Sequence, residues 1–273
     1  MGEQLIRIVS DVHYADRSSR VRSLGQLRPL LEGATSIVLN GDTLDTRPDR
    51  NPQRTAERRR EVLEFFASAG TPVTFLTGNH DPDLSRQHAV EFEGGRVLVT
   101  HGDVLFDAIV PWAKDAATIR QKVIAALAAL PEDGGSRLDG RLAAFRSVAA
   151  TIPQRHQSEP DPLRYALRLA GDTVWPPQRA LSILRAWREA PGRAAALARR
   201  HRPRASFIVI GHTHIPGVWR AASGIVVINT GSFCRPFGAM AAEITSGRIR
   251  VRRVELRRGE FHPGAKVAEF GLS

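Results

Sequence analysis

Cysteine is nearly absent from this chain of 273 residues, occurring once, at Cys234. A lone thiol excludes an intramolecular disulfide framework and fits a reducing compartment. No apolar run approaches the ~20 residues of a membrane span. After Met1-Gly2-Glu3-Gln4 the chain enters an apolar run directly, without a signal-peptide pattern. Ile6 stands where a myristoylated Gly2 would want Ser or Thr. Neither a P-loop nor G-x-S-x-G is present, which leaves NTP-binding and serine-hydrolase readings without support. The expectation is a cytoplasmic protein with no transmembrane segment.

Lysine is scarce too, found only at positions 114, 122 and 266, so the formal charge of +11 is almost entirely arginine. A basic surface favours a phosphorylated substrate, a nucleic acid or an anionic membrane surface in peripheral contact. Codon usage rich in Arg and Ala gives the same charge, so charge does not select a partner. Nucleic acid is not favoured, because aromatic and basic residues do not interleave as they do where single strands stack. With 42% hydrophobic and 25% charged residues the composition is that of a globular protein. The length allows one large domain, or one domain with an insertion. The oligomeric state stays open.

What the chain does contain is a dispersed set of short polar motifs: Asp11-Val12-His13, Gly41-Asp42-Thr43-Leu44-Asp45, Gly78-Asn79-His80-Asp81, His101-Gly102-Asp103 and Gly211-His212-Thr213-His214. An apolar, β-branched run precedes each of them, ending at Val9, Leu39, Leu76, Val99 and Ile210. Such runs read as buried strands. Ligands of open α/β sheets bind beyond the carboxyl ends of the strands, so the motifs would converge on one site.

Between them the pattern predicts helices over Ser18–Glu32 and Pro52–Ala69, and a hairpin from His88 to Thr100 turning at Gly94-Gly95. Within Pro52–Ala69 the Arg58-Arg59-Arg60 run reads as a solvated helix face, with a phosphate contact as the rival. From 105 to 201 β-branched runs give way to Ala, Leu and Arg. Helices are expected there near 112–130, 137–151, 162–170 and 177–200. The stripe Ile119, Val123, Leu127 and Leu130 reads as helix packed on helix, with an acyl-chain or membrane-facing groove as the rival. A final hairpin spans Met240 to Leu256, with a short tail after Gly259. The domain expectation is a core of 1–104 and 202–273 carrying an inserted helical cap at 105–201.

Asp11, His13, Asp42, Asn79, His101, His212 and His214 offer mixed nitrogen and oxygen donors, too many for one tetrahedral zinc. They suit two adjacent divalent ions sharing a ligand; imidazole with carboxylate accepts Mn, Fe or Zn. Such a pair can activate a water and stabilise an in-line phosphoryl displacement. The remaining histidines at 88, 156, 201 and 262 have no motif around them and read as surface or structural.

In this order the motifs D-x-H, G-D-x-x-D, G-N-H-D, H-G-D and G-H-T-H resemble the calcineurin-like metallophosphoesterase superfamily. The resemblance implies an α/β fold, an α/β/β/α sandwich of two mixed sheets. It also implies a dinuclear centre, with Mn2+ first and Fe or Zn as alternatives. By similarity, Asp11, His13 and His214 hold one ion, Asn79, His101 and His212 the other, and Asp42 bridges both together with the attacking hydroxide. His80 would act beside the site on the phosphoryl oxygen or leaving group, with Asp81 fixing its tautomer and raising its pKa. Asn79, His80 and Arg47 are the expected substrate contacts, and Asp45 an orienting hydrogen-bond acceptor. The implied activity is metal-dependent hydrolysis of a phosphodiester, nucleotide or phosphomonoester. The His101-Gly102-Asp103-Val104-Leu105 stretch before a helical insertion also resembles UDP-2,3-diacylglucosamine pyrophosphatases, which act on a lipid-linked substrate. That group carries Arg where this chain has His80. A nuclease and a non-catalytic scaffold are the further alternatives.

Overall fold

The computed structural model describes residues 4–131, 137–154 and 177–272, with 161, 164 and 171 between them. The apolar runs form strands, and their pairing separates them into two sheets. One sheet is built on β1 (Ile6–Val9), β2 (Ser36–Asn40) and β3 (Val73–Leu76), paired parallel. The other is built on β5 (Val97–Thr100), β6 (Phe207–Ile210) and β8 (Val226–Asn229), also parallel. Antiparallel strands complete both. β4 (Ala89–Phe92) and β7 (Gly217–Arg220) edge the second sheet. β9 (Met240–Thr245), β10 (Arg248–Arg257) and β11 (Glu260–Gly271) extend the first beyond β1.

All of the parallel strands except the edge strand β3 are buried on both faces, which is why they read as continuous apolar runs rather than alternating ones. Ile8, Val38 and Leu76 of the first sheet meet Val99, Val209 and Ile228 of the second in a shared inner core. The outer face of the first sheet packs on α1 (Arg28–Leu31) and α2 (Pro52–Ala67) through Leu30, Val62 and Phe66. The outer face of the second carries α3 (Ala116–Ala128), α4 (Leu138–Ala149) and α5 (Pro177–His201). Their Val123, Phe145 and Ala194 share one cluster with Leu98, Ile208 and Val227. The result is the expected α/β/β/α sandwich of two mixed sheets.

Several local expectations change. The helix predicted over Ser18–Glu32 is helical only from Leu24 to Leu31, as a 3-10 turn running into α1. Ser18 and Ser19 capture local partners instead: Ser18 N–H and Oγ–H donate to Asp16 Oδ1, and Ser19 Oγ–H donates to Val12 O. Such side-chain bonds compete with helix formation. The tail after Gly259 is a 12-residue strand. The turn it needs is made by Arg258 and Gly259, both at positive φ, and register shifts absorb its Pro263-Gly264 irregularity. Strand β7 is four residues long and was not anticipated. Ile119 and Val123 of the α3 stripe are core and Leu127 packs on it, which favours helix packing over a groove at that stripe. The helix expected at 162–170 and His156 lie outside the described residues.

Candidate metal centre

All five motifs follow the carboxyl ends of parallel strands, and the two sheets place those ends side by side. The backbone adopts an uncommon shape to do it. Asp11, His13, Asp42, His212 and His214 all have φ between 48° and 64°, the left-handed region that non-glycine residues rarely enter. In that conformation the chain reverses just past the strand and turns the side chain back over the sheet edge. The motif glycines make room. A Cβ on Gly78 would lie 2.1 Å from Asp42 Oδ1, and one on Gly211 would lie 2.2 Å from Asp11 Oδ2.

Two groups of donors result, Asp11 with His13 and His214, and Asp42 with His101 and His212; within each, the donor atoms lie within 4.8 Å of one another. His214 Nε2 is 3.2 Å from Asp11 Oδ1 and 3.2 Å from His13 Nε2. Asp42 Oδ2 stands between the groups, 3.2 Å from His101 Nε2 and 3.7 Å from His13 Nε2. All of these residues are buried except His214, which is partly exposed. Two of the rings are aimed by carbonyls. His101 Nδ1 meets Asn40 O at 2.9 Å, and His212 Nε2 meets Ile109 O at 2.9 Å. Each therefore presents its other nitrogen, as metal-ligating histidines do.

Charges in the cluster are strongly coupled. Burial works against both ionised carboxylates, yet the surrounding imidazoles, His101 first, hold Asp11 and Asp42 well below the usual range. Burial likewise opposes the imidazolium of His101, but Asp42 and Asp11 raise it to about 10. Burial and then the His101 charge push His212 down to about 4.

These residues fit a pair of divalent ions. Buried polar atoms almost always have partners, yet Asn79 Oδ1 is buried without a hydrogen bond among the described residues, and His101 Nε2 has only the Asp42 carboxylate beside it. The donor set mixes imidazole with carboxylate oxygen, the chemistry that divalent Mn, Fe and Zn share. The two donor groups together support a dinuclear divalent site.

Around this centre the expected substrate contacts form a chain of their own. His80 Nδ1 lies 2.8 Å from Asp45 Oδ2 and 2.9 Å from Arg47 Nη2. Arg47 grips Asp45 at two points, Nη2 to Oδ2 at 2.6 Å and Nε to Oδ1 at 3.0 Å. The Arg47 guanidinium fork is thus largely engaged inside the protein. Despite opposing burial, Arg47 and His80 hold Asp45 low. Asp45, rather than the expected Asp81, is the carboxylate on the His80 ring. Asp81 instead accepts backbone N–H groups from Gly78 at 2.6 Å, Asp42 at 2.9 Å and Thr43 at 2.6 Å, tying the loops after β2 and β3 together. The pKa of His80 is lowered, by burial and then by Arg47, where a rise was expected. His80 sits at the mouth, its ring edge-on to His13 with centroids 4.9 Å apart.

Sequence reasoning did not single out Arg146. From α4 it donates Nε–H to Thr77 Oγ1 at 2.7 Å and makes a two-point ion pair with Asp103. Trp187 of α5, which donates Nε1–H to Thr213 O at 3.0 Å, was also missed. Neither carries a local motif.

A two-sheet sandwich with two donor groups at adjoining strand ends presents a candidate dinuclear metal centre. The chain belongs to the calcineurin-like phosphoesterase family, matched over residues 5–216. No curated protein matches the sequence. Among solved structures, a dimetal phosphatase from Danio rerio is similar at 15% identity, with 99% of each chain covered and a TM-score of 0.49. Vacuolar Protein Sorting 29 from Cryptosporidium parvum is similar at 14% identity, 98% of each chain and a TM-score of 0.45. A conserved protein from Streptococcus pneumoniae is similar at 16% identity, 99% of each chain and a TM-score of 0.42.

Proposed function

We propose that the protein is a two-metal phosphoester hydrolase acting on a phosphodiester, nucleotide or phosphomonoester. Asp42 Oδ2 carries this reading, because it lies between His13 of one donor group and His101 of the other. One carboxylate common to two groups is what a pair of ions sharing a ligand requires. Asp11, His13 and His214 would hold one ion and Asn79, His101 and His212 the other. Bound there, two divalent cations supply Lewis-acid polarisation of a phosphoryl oxygen and a water acidic enough to act as nucleophile near neutral pH.

The remaining work belongs to the chain. Asp45 accepts the His80 Nδ1–H and is itself gripped by Arg47, leaving Nε2 to move a proton to or from a substrate oxygen. Asp81 keeps the Asp42 and Asn79 loops in register through its three amides. Helices α3 to α5 serve as the outer layer of the second sheet, and the segment leading into α3 forms one wall of the site, where His212 meets Ile109 O and lies beside Trp112. The lipid-linked alternative has weaker support, because Ile119 and Val123 of its proposed α3 stripe are core and Leu127 packs against it.

The test is hydrolysis of p-nitrophenyl phosphate and bis-p-nitrophenyl phosphate after Mn2+ loading, with Asp42→Ala alongside and metal content measured on both. Metal-dependent turnover lost in Asp42→Ala is expected, and the diester-to-monoester ratio assigns the bond. Two bound metals without turnover of either ester would overturn the small-substrate reading and favour a lipid-linked one. No metal and no turnover would overturn the hydrolase and leave a scaffold that binds protein partners.

A further inference from the structure

A cavity of about 260 Å³ opens from the metal centre at His13 and runs toward α2. Tyr14, Leu44 and Gln154 line it, and Arg50, Arg54 and Arg58 stand along its α2 side. Arg54 and Arg58 are one helical turn apart, so they project from the same face. The Arg58 guanidinium is fixed beside the metal-binding loop by its Nη1–H bond to Ala15 O, at 3.1 Å, two residues beyond His13.

These three arginines differ from their neighbours. Arg47 is paired with Asp45, and Arg59 with Asp83 at 3.5 Å. Among the described residues, no carboxylate lies within ion-pair distance of Arg50, Arg54 or Arg58. Two further acids line the cavity: Asp16 Oδ1 accepts from Ser18, and Asp49 Oδ1 accepts the Arg50 N–H. Burial, followed by repulsion from Arg54, lowers the pKa of Arg58; Tyr14, Glu61 and Asp49 pull the other way without reversing it. At Arg58 this favours the phosphate-contact reading over the solvated face, because its side chain is half-buried and bonded to Ala15 O beside the metal-binding loop.

We infer that Arg54 and Arg58, with Arg50 at the lip, form a subsite for a second phosphate or similarly compact dianion on the substrate whose scissile phosphoryl group sits at the metal centre. Pockets enclosing whole small ligands span ~300–1,000 Å³. This cavity falls just short of that range, which suits one group of a substrate already anchored beside it. Planar guanidinium forks match phosphate geometry, and Arg58 is pre-positioned by its carbonyl. The inference rests on the hydrolase reading for its scissile group, and the substrate class it names is a phosphoester bearing a second phosphate.

The experiment is calorimetric titration of the metal-loaded protein with adenosine 5′-monophosphate and adenosine 3′,5′-bisphosphate. The bisphosphate should bind at least about tenfold more tightly, the worth of one charge-assisted contact. Arg54→Ala and Arg58→Ala should each cut that ratio about tenfold, and Arg58→Lys should restore it only in part. Arg54 is exposed and only its backbone N–H is used, in the Asn51 cap, so Arg54→Ala remains informative if Arg58→Ala misfolds. Equal affinity for both nucleotides, or a ratio unmoved by Arg54→Ala, would overturn the subsite. Turnover of p-nitrophenyl esters separates the two claims. Tight bisphosphate binding without turnover sinks the hydrolase and leaves the subsite, whereas turnover with equal affinities does the reverse.

Discussion

Arg146 and Asp103 form a buried ion pair that joins the helical layer to the metal centre. Arg146 is on α4, Asp103 lies two residues beyond His101, and the Arg146 Nε–H reaches Thr77 just before the Asn79 loop. One guanidinium thus holds the segments following β3 and β5 in a fixed relation. Removing one partner of such a pair strands a charge and typically costs about 3–5 kcal/mol. Arg146→Met should therefore lower stability by that order in urea denaturation and weaken metal uptake. Asp103→Asn with Arg146→Met should cost less than the two single changes added together. A loss below about 1 kcal/mol in Arg146→Met, on the scale of an exposed pair, would contradict this account.

Asp81 offers a second test. Its two oxygens accept three backbone amides, and hydrogen bonds to a charged group contribute about 1.5–3 kcal/mol each. Asparagine would replace one acceptor oxygen with an N–H2 facing an N–H. Asp81→Asn should reduce thermal stability and leave the protein with fewer than two metals. Full metal content with an unchanged melting temperature would show that the amides are held by something else.

Glycine positions separate the site from its surroundings. Alanine at Gly78 would drive its methyl into Asp42, whereas a Cβ on Gly25 meets only Ser23 Oγ at 4.0 Å, without positive φ. Gly78→Ala should abolish metal binding and activity, and Gly25→Ala should leave both intact. Metal analysis of the two purified variants decides it.

The network around Arg146 also predicts a pH dependence. Arg146 Nε–H can only donate, so Thr77 Oγ1 accepts it and donates to His88 Nδ1 at 2.6 Å. His88 is thereby held neutral, and burial followed by the Arg146 charge lowers its pKa; Asp103 and Asp139 pull the other way without reversing this. A depressed histidine is neutral in both folded and unfolded states above about pH 6.5. Its contribution to stability is complete there and is lost as pH falls through the lowered folded value. His88→Gln should flatten the loss of stability between about pH 7 and pH 5. Parallel profiles for the two proteins would remove His88 from the acid response.

The metal donors were legible in the sequence because each lies within four residues of the end of an apolar β-branched run. Strand ends and their loops are local features. The partner of His80 was not legible. Asp81 adjoins it in sequence, but the left-handed turn at Asp42 brings Asp45, 35 residues away, to the ring. Arg146 was hidden for the opposite reason: an arginine among many, distinguished only by the buried carboxylate it meets. Likewise β11, interrupted by Pro263-Gly264, shows its strand character only through pairing with β10.

The five left-handed residues at the centre have a consequence for how this protein tolerates change. A residue held in a sparsely populated backbone region costs on the order of 1–3 kcal/mol. Five of them approach the ~5–15 kcal/mol that separates a folded domain from its unfolded chain. The site is therefore a place where the fold is weakened to aim its ligands. Glycine at Asp42 or His212 would relax the backbone and raise the stability of the metal-free protein while destroying its chemistry. A descendant of this chain released from catalysis would drift toward glycine and asparagine at these turns, becoming sturdier as it became inert.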